Sequence, residues 1–140
     1  MAPVYSTLLV CSLSILSVFA QDAAFTDDKK FQDAILSTAN RFRSEHGAPD
    51  LTWNDTLATK AENWAKQCRW RYSETPSGET LAAAHDSVVA SVESWGNERK
   101  RYNFDRPGFS FDTNHFTQLV WKDSTSIGCA RYDCGSIRPG

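Results

Sequence analysis

Cysteines and aromatic rings are the side chains whose spacing bears most directly on chemistry in this sequence. Cys68, Cys129 and Cys134 lie beyond residue 20, and Cys11 lies in an apolar leader. An oxidising compartment favours pairing, but three is odd, so one thiol lacks an intrachain partner. Cys129-x4-Cys134 is not a zinc-knuckle spacing, and no His pair sits near it. Tyr102, Phe104, Phe109 and Phe111 flank Pro107-Gly108, which places four rings within ten residues. An exposed loop of this kind can bind a lipid or insert its rings into a membrane surface. The alternative is that two or more of the rings pack on the domain.

Two further stretches, Arg69-Trp70-Arg71-Tyr72 and Arg99-Lys100-Arg101-Tyr102, interleave basic and aromatic groups as single-strand binders do. A formal net charge of −2 argues against a nucleic-acid partner, so solvated helix ends are the expected reading. No Gly-x-Ser-x-Gly nucleophile elbow is present. Asn54-Asp55-Thr56 is a glycosylation sequon, usable if Asn54 is exposed. His46 falls at a helix end, where it caps or packs, and His85 is expected to be exposed near the start of another helix.

The elements that must position these groups follow from periodicity. Residues 1–20 carry no charge, hold the apolar run Leu8 to Phe19, and end Val18-Phe19-Ala20 before Gln21-Asp22. That pattern predicts a signal peptide cleaved before Gln21, and hence a secreted protein. An uncleaved anchor is the alternative, although the run is too short to span a bilayer comfortably. No second apolar run is long enough to span. Residues 21–140 then make one small domain.

From Asp28, the positions Phe31, Ala34, Ile35, Ala39 and Phe42 share one helical face, stopped by His46-Gly47-Ala48-Pro49. A second helix, capped by Asn54 or Asp55, carries the stripe Leu57, Ala58, Ala61, Trp64, Ala65, Cys68. A third is expected from near Asp86, with Val88, Val89, Val92, Trp95 and Arg99 on one side and Glu98 near the buried face. Phe116–Trp121 fits a short helix or a buried strand, Ser126–Arg131 a strand, and Tyr102–Thr113 a loop.

In order along the chain, four stretches carry a resemblance. They are Asn40 to Trp53 with its Pro49-Asp50-Leu51-Thr52-Trp53 exit, Gly78-Glu79-Thr80-Leu81-Ala82, Trp95-Gly96-Asn97-Glu98, and Asn114-His115-Phe116-Thr117-Gln118-Leu119-Val120-Trp121-Lys122, followed by Ile127-Gly128-Cys129-Ala130. Together they resemble the CAP superfamily: cysteine-rich secretory proteins, antigen-five proteins and class-one pathogenesis-related proteins. Tyr102 to Phe109 resembles the fungal branch.

The resemblance implies an α+β fold, an α-β-α sandwich with helices flanking a small antiparallel sheet. It also implies a last strand that these 140 residues do not contain, so that the domain reads as incomplete at its C-terminus. It further implies a Cys68–Cys134 bridge, with Cys129 left unpaired. The family's cavity of two His and two Glu maps onto Glu79, Glu98 and His115, with Tyr72 where the first His is expected. A phenol with a pKa of about 10 is a poor ligand at neutral pH. These three side chains are therefore expected to form a hydrogen-bonded polar cluster, with weak binding of zinc or another divalent cation as the alternative and no cofactor required. In fungal relatives the loop matching Tyr102, Phe104, Pro107, Phe109 and Phe111 is implicated in sterol binding. The function expected is thus a secreted, non-catalytic binder of a sterol or fatty-acid-like lipid. The alternatives are a secreted interaction protein without a small ligand and, far behind, a metal-dependent hydrolase.

Overall fold

Asp22 and Asp27 cap the first two turns of the described residues. Asp22 Oδ1 accepts from the Ala24 amide at the start of a 3-10 turn, Ala23–Phe25, and Asp27 accepts from the Lys30 amide at the head of α1, Asp28–Glu45. The computed structural model describes residues 21–135; the leader expected at residues 1–20, and residues 136–140, lie outside the described residues. Beyond α1 come β1 (Thr52–Trp53), α2 (Asp55–Ala65), α3 (Val88–Gly96) with a 3-10 turn over Asn97–Arg101, α4 (Asn114–Leu119) and β2 (Ser126–Ile127).

α1 ends as its sequence predicts. Gly47 adopts φ +65°, the left-handed conformation that a Cβ would penalise. Its predicted stripe faces inward: Phe31, Ile35, Ala39 and Phe42 are buried, with Val88, Val92 and Trp95 of α3 and Leu119 of α4 packed alongside. α1 and α3 approach closely because position 96 has no side chain. A Cβ on Gly96 would stand 2.3 Å from Phe42 Cζ. The exit Leu51 is fixed by Asn40, whose side chain accepts from the Leu51 amide at 2.7 Å and donates to its carbonyl at 3.1 Å.

Four expectations are corrected. The sheet is parallel, not antiparallel, with Thr52 opposite Ser126 and Trp53 opposite Ile127. Its strands are joined not by a hairpin but by a crossover that contains α2, α3 and α4, a connection that permits parallel pairing. The second strand stops at Ile127 rather than Arg131, because the backbone from Gly128 to Cys134 makes no backbone ladder among the described residues. The third helix begins at Val88, with Ser87 accepting from the Ala90 amide, and Val89 faces solvent. His85 is half-buried rather than exposed.

Helix α2 forms where expected, and Asn54 caps it by accepting from the Leu57 amide at 3.0 Å. None of its residues is fully buried, however. Its apolar face looks across a crevice of about 1380 Å³ whose far wall includes Phe31, Leu51, Val88, Trp95 and Leu119. Cys68, just after α2, is bridged to Cys134, 66 residues on. Cys129 is unpaired among the described residues, and burial pushes its thiol up to about 12, so it stays protonated and weakly nucleophilic at neutral pH. No helix of the described residues is long and apolar enough to cross a membrane.

Candidate functional site

Three of the predicted side chains come together in a line. Glu98 sits in the 3-10 turn after α3, and its two oxygens do different things. Oε1 lies 2.6 Å from His115 Nδ1, and Oε2 accepts from the Phe116 amide at 3.0 Å. Thr113, which precedes α4, makes no side-chain cap, so Glu98 supplies from a distant segment an acceptor for one of that helix's free amides. With Nδ1 donating to Glu98, His115 presents Nε2 as an acceptor, and the Tyr72 hydroxyl stands 3.3 Å from it.

The fourth member is placed differently. Glu79 Oε2 accepts from the Ser73 amide at 3.0 Å and from the Ser73 hydroxyl. It pins the backbone next to Tyr72 instead of joining His115.

This donor set is arranged for hydrogen bonds, not for a divalent ion. His115 has one nitrogen on Glu98 Oε1 and the other beside a phenol, while Glu98 Oε2 holds the Phe116 amide and Glu79 Oε2 holds the Ser73 amide and hydroxyl. No group of three or more His, Cys, Asp or Glu among the described residues stands close enough to hold a metal. The residues as they stand do not fit a metal centre.

Tyr72 is the group that decides this, because its hydroxyl occupies the approach to Nε2. Tyr72→His is expected to raise zinc affinity at least tenfold, since it replaces a phenol with a neutral nitrogen donor beside a second imidazole. Calorimetric titration of both proteins checks it; equal affinities mean that residue 72 does not meet the metal.

The aromatic loop divides in two. Tyr102 and Phe104 belong to a ring cluster on the domain. The Tyr102 centroid lies 4.9 Å from Phe104 and 5.5 Å from Phe116, and Phe104 stacks on His46 at 5.9 Å. His46 thus packs as well as ending α1, and desolvation, with Arg99 nearby, holds its pKa below the usual range. Phe109 and Phe111 contact each other edge to face at 5.1 Å and are otherwise open, 72% and 83% exposed. They stand over a cavity of about 410 Å³ that Tyr72, Glu79 and Trp121 also line.

The basic-aromatic stretches are used within the molecule. Trp64 donates to the Arg71 carbonyl at 2.8 Å, Arg99 lies over the Phe42 ring and pairs with Glu45, and Arg101 reaches the Asp112 carbonyl.

Sequence reasoning missed Arg43. Its guanidinium is fully buried and donates to the carbonyls of Pro49, Leu119, Trp121 and Ser124 at 2.6–3.0 Å. Desolvation lowers its pKa and Asp50 opposes this, but an arginine remains charged. The signal was present: Phe31, Ile35, Ala39 and Arg43 recur every four residues, which puts Arg43 on the core face.

Residues 36–138 match the profile of CAP, the cysteine-rich secretory protein family. The chain belongs to the CAP family. It is 36% identical over 123 residues to Secreted protein RBT4 of Candida albicans, matching 82% of this chain and 34% of that protein. It is 31% identical over 138 residues to Pathogenesis-related protein 1 of Arabidopsis thaliana, matching 94% of this chain and 84% of that protein. Among solved structures, venom allergen-like protein 4 of Schistosoma mansoni superposes with a TM-score of 0.60 at 27% identity, covering 74% of this chain and 80% of that one. The chain spans between 33% and 51% of the length of several fungal relatives. The α+β fold of this CAP domain is thus that of its relatives, and the parallel pair β1–β2 is its small sheet.

Proposed function

We propose that this CAP domain is a secreted, non-catalytic protein that binds a sterol or another small lipid through the loop from Tyr102 to Phe111. The observation that carries the reading is the exposure of Phe109 and Phe111 over a cavity, on a loop whose base is anchored by Tyr102 and Phe104 against Phe116. Open rings on an anchored base offer apolar area without the entropic cost of ordering a slack loop. The name of the relative Secreted protein RBT4 and the apolar leader support export. The engagement of both His115 nitrogens, by Glu98 and by Tyr72, supports a binding role over hydrolysis.

The experiment is a sterol-binding titration on the purified domain. Each ring removed from water against a ligand contributes ~1.5–3 kcal/mol. Phe109→Ser with Phe111→Ser should therefore weaken binding at least tenfold, since ~1.4 kcal/mol is one decade. Trp70→Ser, an exposed ring outside the loop, is the control and should leave binding unchanged. Unaltered binding in the double variant removes the loop from the function. A wild-type protein that binds no lipid leaves an interaction protein without a small ligand as the reading.

A further inference from the structure

Eight large apolar residues are exposed among the described residues, and four of them, Tyr72, Phe109, Phe111 and Trp121, line one cavity of about 410 Å³. They come from three separate segments: the stretch after α2, the aromatic loop, and the end of α4. Two carboxylates, Glu74 and Glu79, share the lining, and no Lys, Arg or His does. The remaining lining side chains are neutral and polar. One of these, Asn114, has a buried Oδ1 without a hydrogen-bond partner. The volume lies within the range of small-molecule sites.

We infer that this cavity is a binding site for a small organic cation of the quaternary-ammonium class, choline or the trimethylammonium head of a lipid. A ring face is negative, so a methylated ammonium is attracted to several faces at once, and surrounding aromatic walls are the known solution for such ions. The Phe109 and Phe111 rings meet at 80°, so they present faces in two directions at an open rim instead of one flat platform. A sugar ring stacks on a flat face and gains nothing from perpendicular walls. Glu79 holds Ser73 through Oε2, which leaves Oε1 without a hydrogen bond to the protein, and Glu74 is exposed. Both favour a cation over a neutral ligand or an anion. A metal ion is a poorer match, because no cluster of metal-donor side chains is assembled there. The inference does not require that the loop bind sterol.

The test titrates choline chloride, tetramethylammonium chloride and 3,3-dimethyl-1-butanol, the neutral isostere of choline, into the intact domain. Trp121 fluorescence and the ring resonances of Tyr72 are followed. Choline and tetramethylammonium are expected to bind, with the isostere at least tenfold weaker. Trp121→Ala and Tyr72→Ala should each weaken choline about fivefold, in keeping with one cation–π contact apiece. Glu74→Gln should weaken it about threefold through the lost charge. Circular dichroism confirms that each variant is folded.

These variants lie outside the loop, so their result stands whatever the sterol titration gives. Sedimentation with phosphatidylcholine vesicles, against vesicles of phosphatidylglycerol alone, distinguishes the sources of the cation. Retention by the first alone assigns the lipid head, and binding of free choline without retention assigns the soluble ion. The isostere binding as tightly as choline, or chito-oligosaccharide displacing fluorescence where choline does not, overturns the proposal.

Discussion

Replacing Arg43 with Met should destabilise the domain by roughly 3–5 kcal/mol, because several backbone carbonyls lose a charged donor at once. The variant removes the donors of four hydrogen bonds; the Trp121 carbonyl keeps the Ser124 amide, while the carbonyls of Pro49, Leu119 and Ser124 are left facing an apolar side chain. Buried acceptors left unmade cost about 1–3 kcal/mol each before relaxation. Leu119 is the last residue of α4, where a carbonyl has no partner within the helix, and Trp121 lies two residues beyond, so Arg43 closes that helix in place of a C-terminal cap. Arg43→Lys keeps the charge but has a single nitrogen, which cannot reach the carbonyls of Pro49 and Ser124 together, so it should recover only part of the loss. Urea unfolding followed by circular dichroism measures all three proteins. A loss under about 1 kcal/mol for the methionine variant would mean that water satisfies these carbonyls in place of the guanidinium.

Removing the Cys68–Cys134 bridge is the second large effect. The bridge closes a loop across 66 positions, and the chain-entropy treatment assigns such a loop about 4 kcal/mol. Against a total stability of ~5–15 kcal/mol for domains of this kind, that is a large share. Cys68→Ser with Cys134→Ser should therefore lower the urea midpoint sharply. The same protein in reductant should match the double serine variant. Agreement between the two shows that the effect is the cross-link and not the serine hydroxyls. A reductant effect much smaller than the mutational one would assign the loss to packing around the sulfurs.

Local pattern made α1 legible because its face is complete: the apolar residues, the left-handed glycine and the proline beyond it all agree. The same periodicity found α2 but overstated its burial. A stripe reports which side of a helix is apolar, not whether anything lies against it. β1 and β2 pair residues 52–53 with residues 126–127, and nothing near either strand encodes a direction for that pairing, so the inferred antiparallel sheet came out parallel. The polar site divides along the same line. Resemblance located Glu98, His115 and Tyr72, but the amide of Phe116 as a partner of Glu98 depends on where a distant helix starts. Arg43 was overlooked for a different reason. A charged residue on an apolar stripe reads as an interruption unless the four-residue spacing is given more weight than the side chain's polarity.

The crevice behind α2 has a kinetic consequence. Protection against hydrogen exchange follows the free energy of the smallest opening that exposes an amide. For α1, wedged between α3 and α4, that opening is close to global unfolding. For α2, whose first turn packs on Gly128 and whose remaining apolar face borders the crevice, a smaller opening is expected to suffice. Because Cys68 is tied to Cys134 just beyond the helix, such an opening ends in a closed loop and not in a free strand of chain. The amides of α2 are therefore expected to exchange faster than those of α1, a difference that follows attachment more than helical propensity.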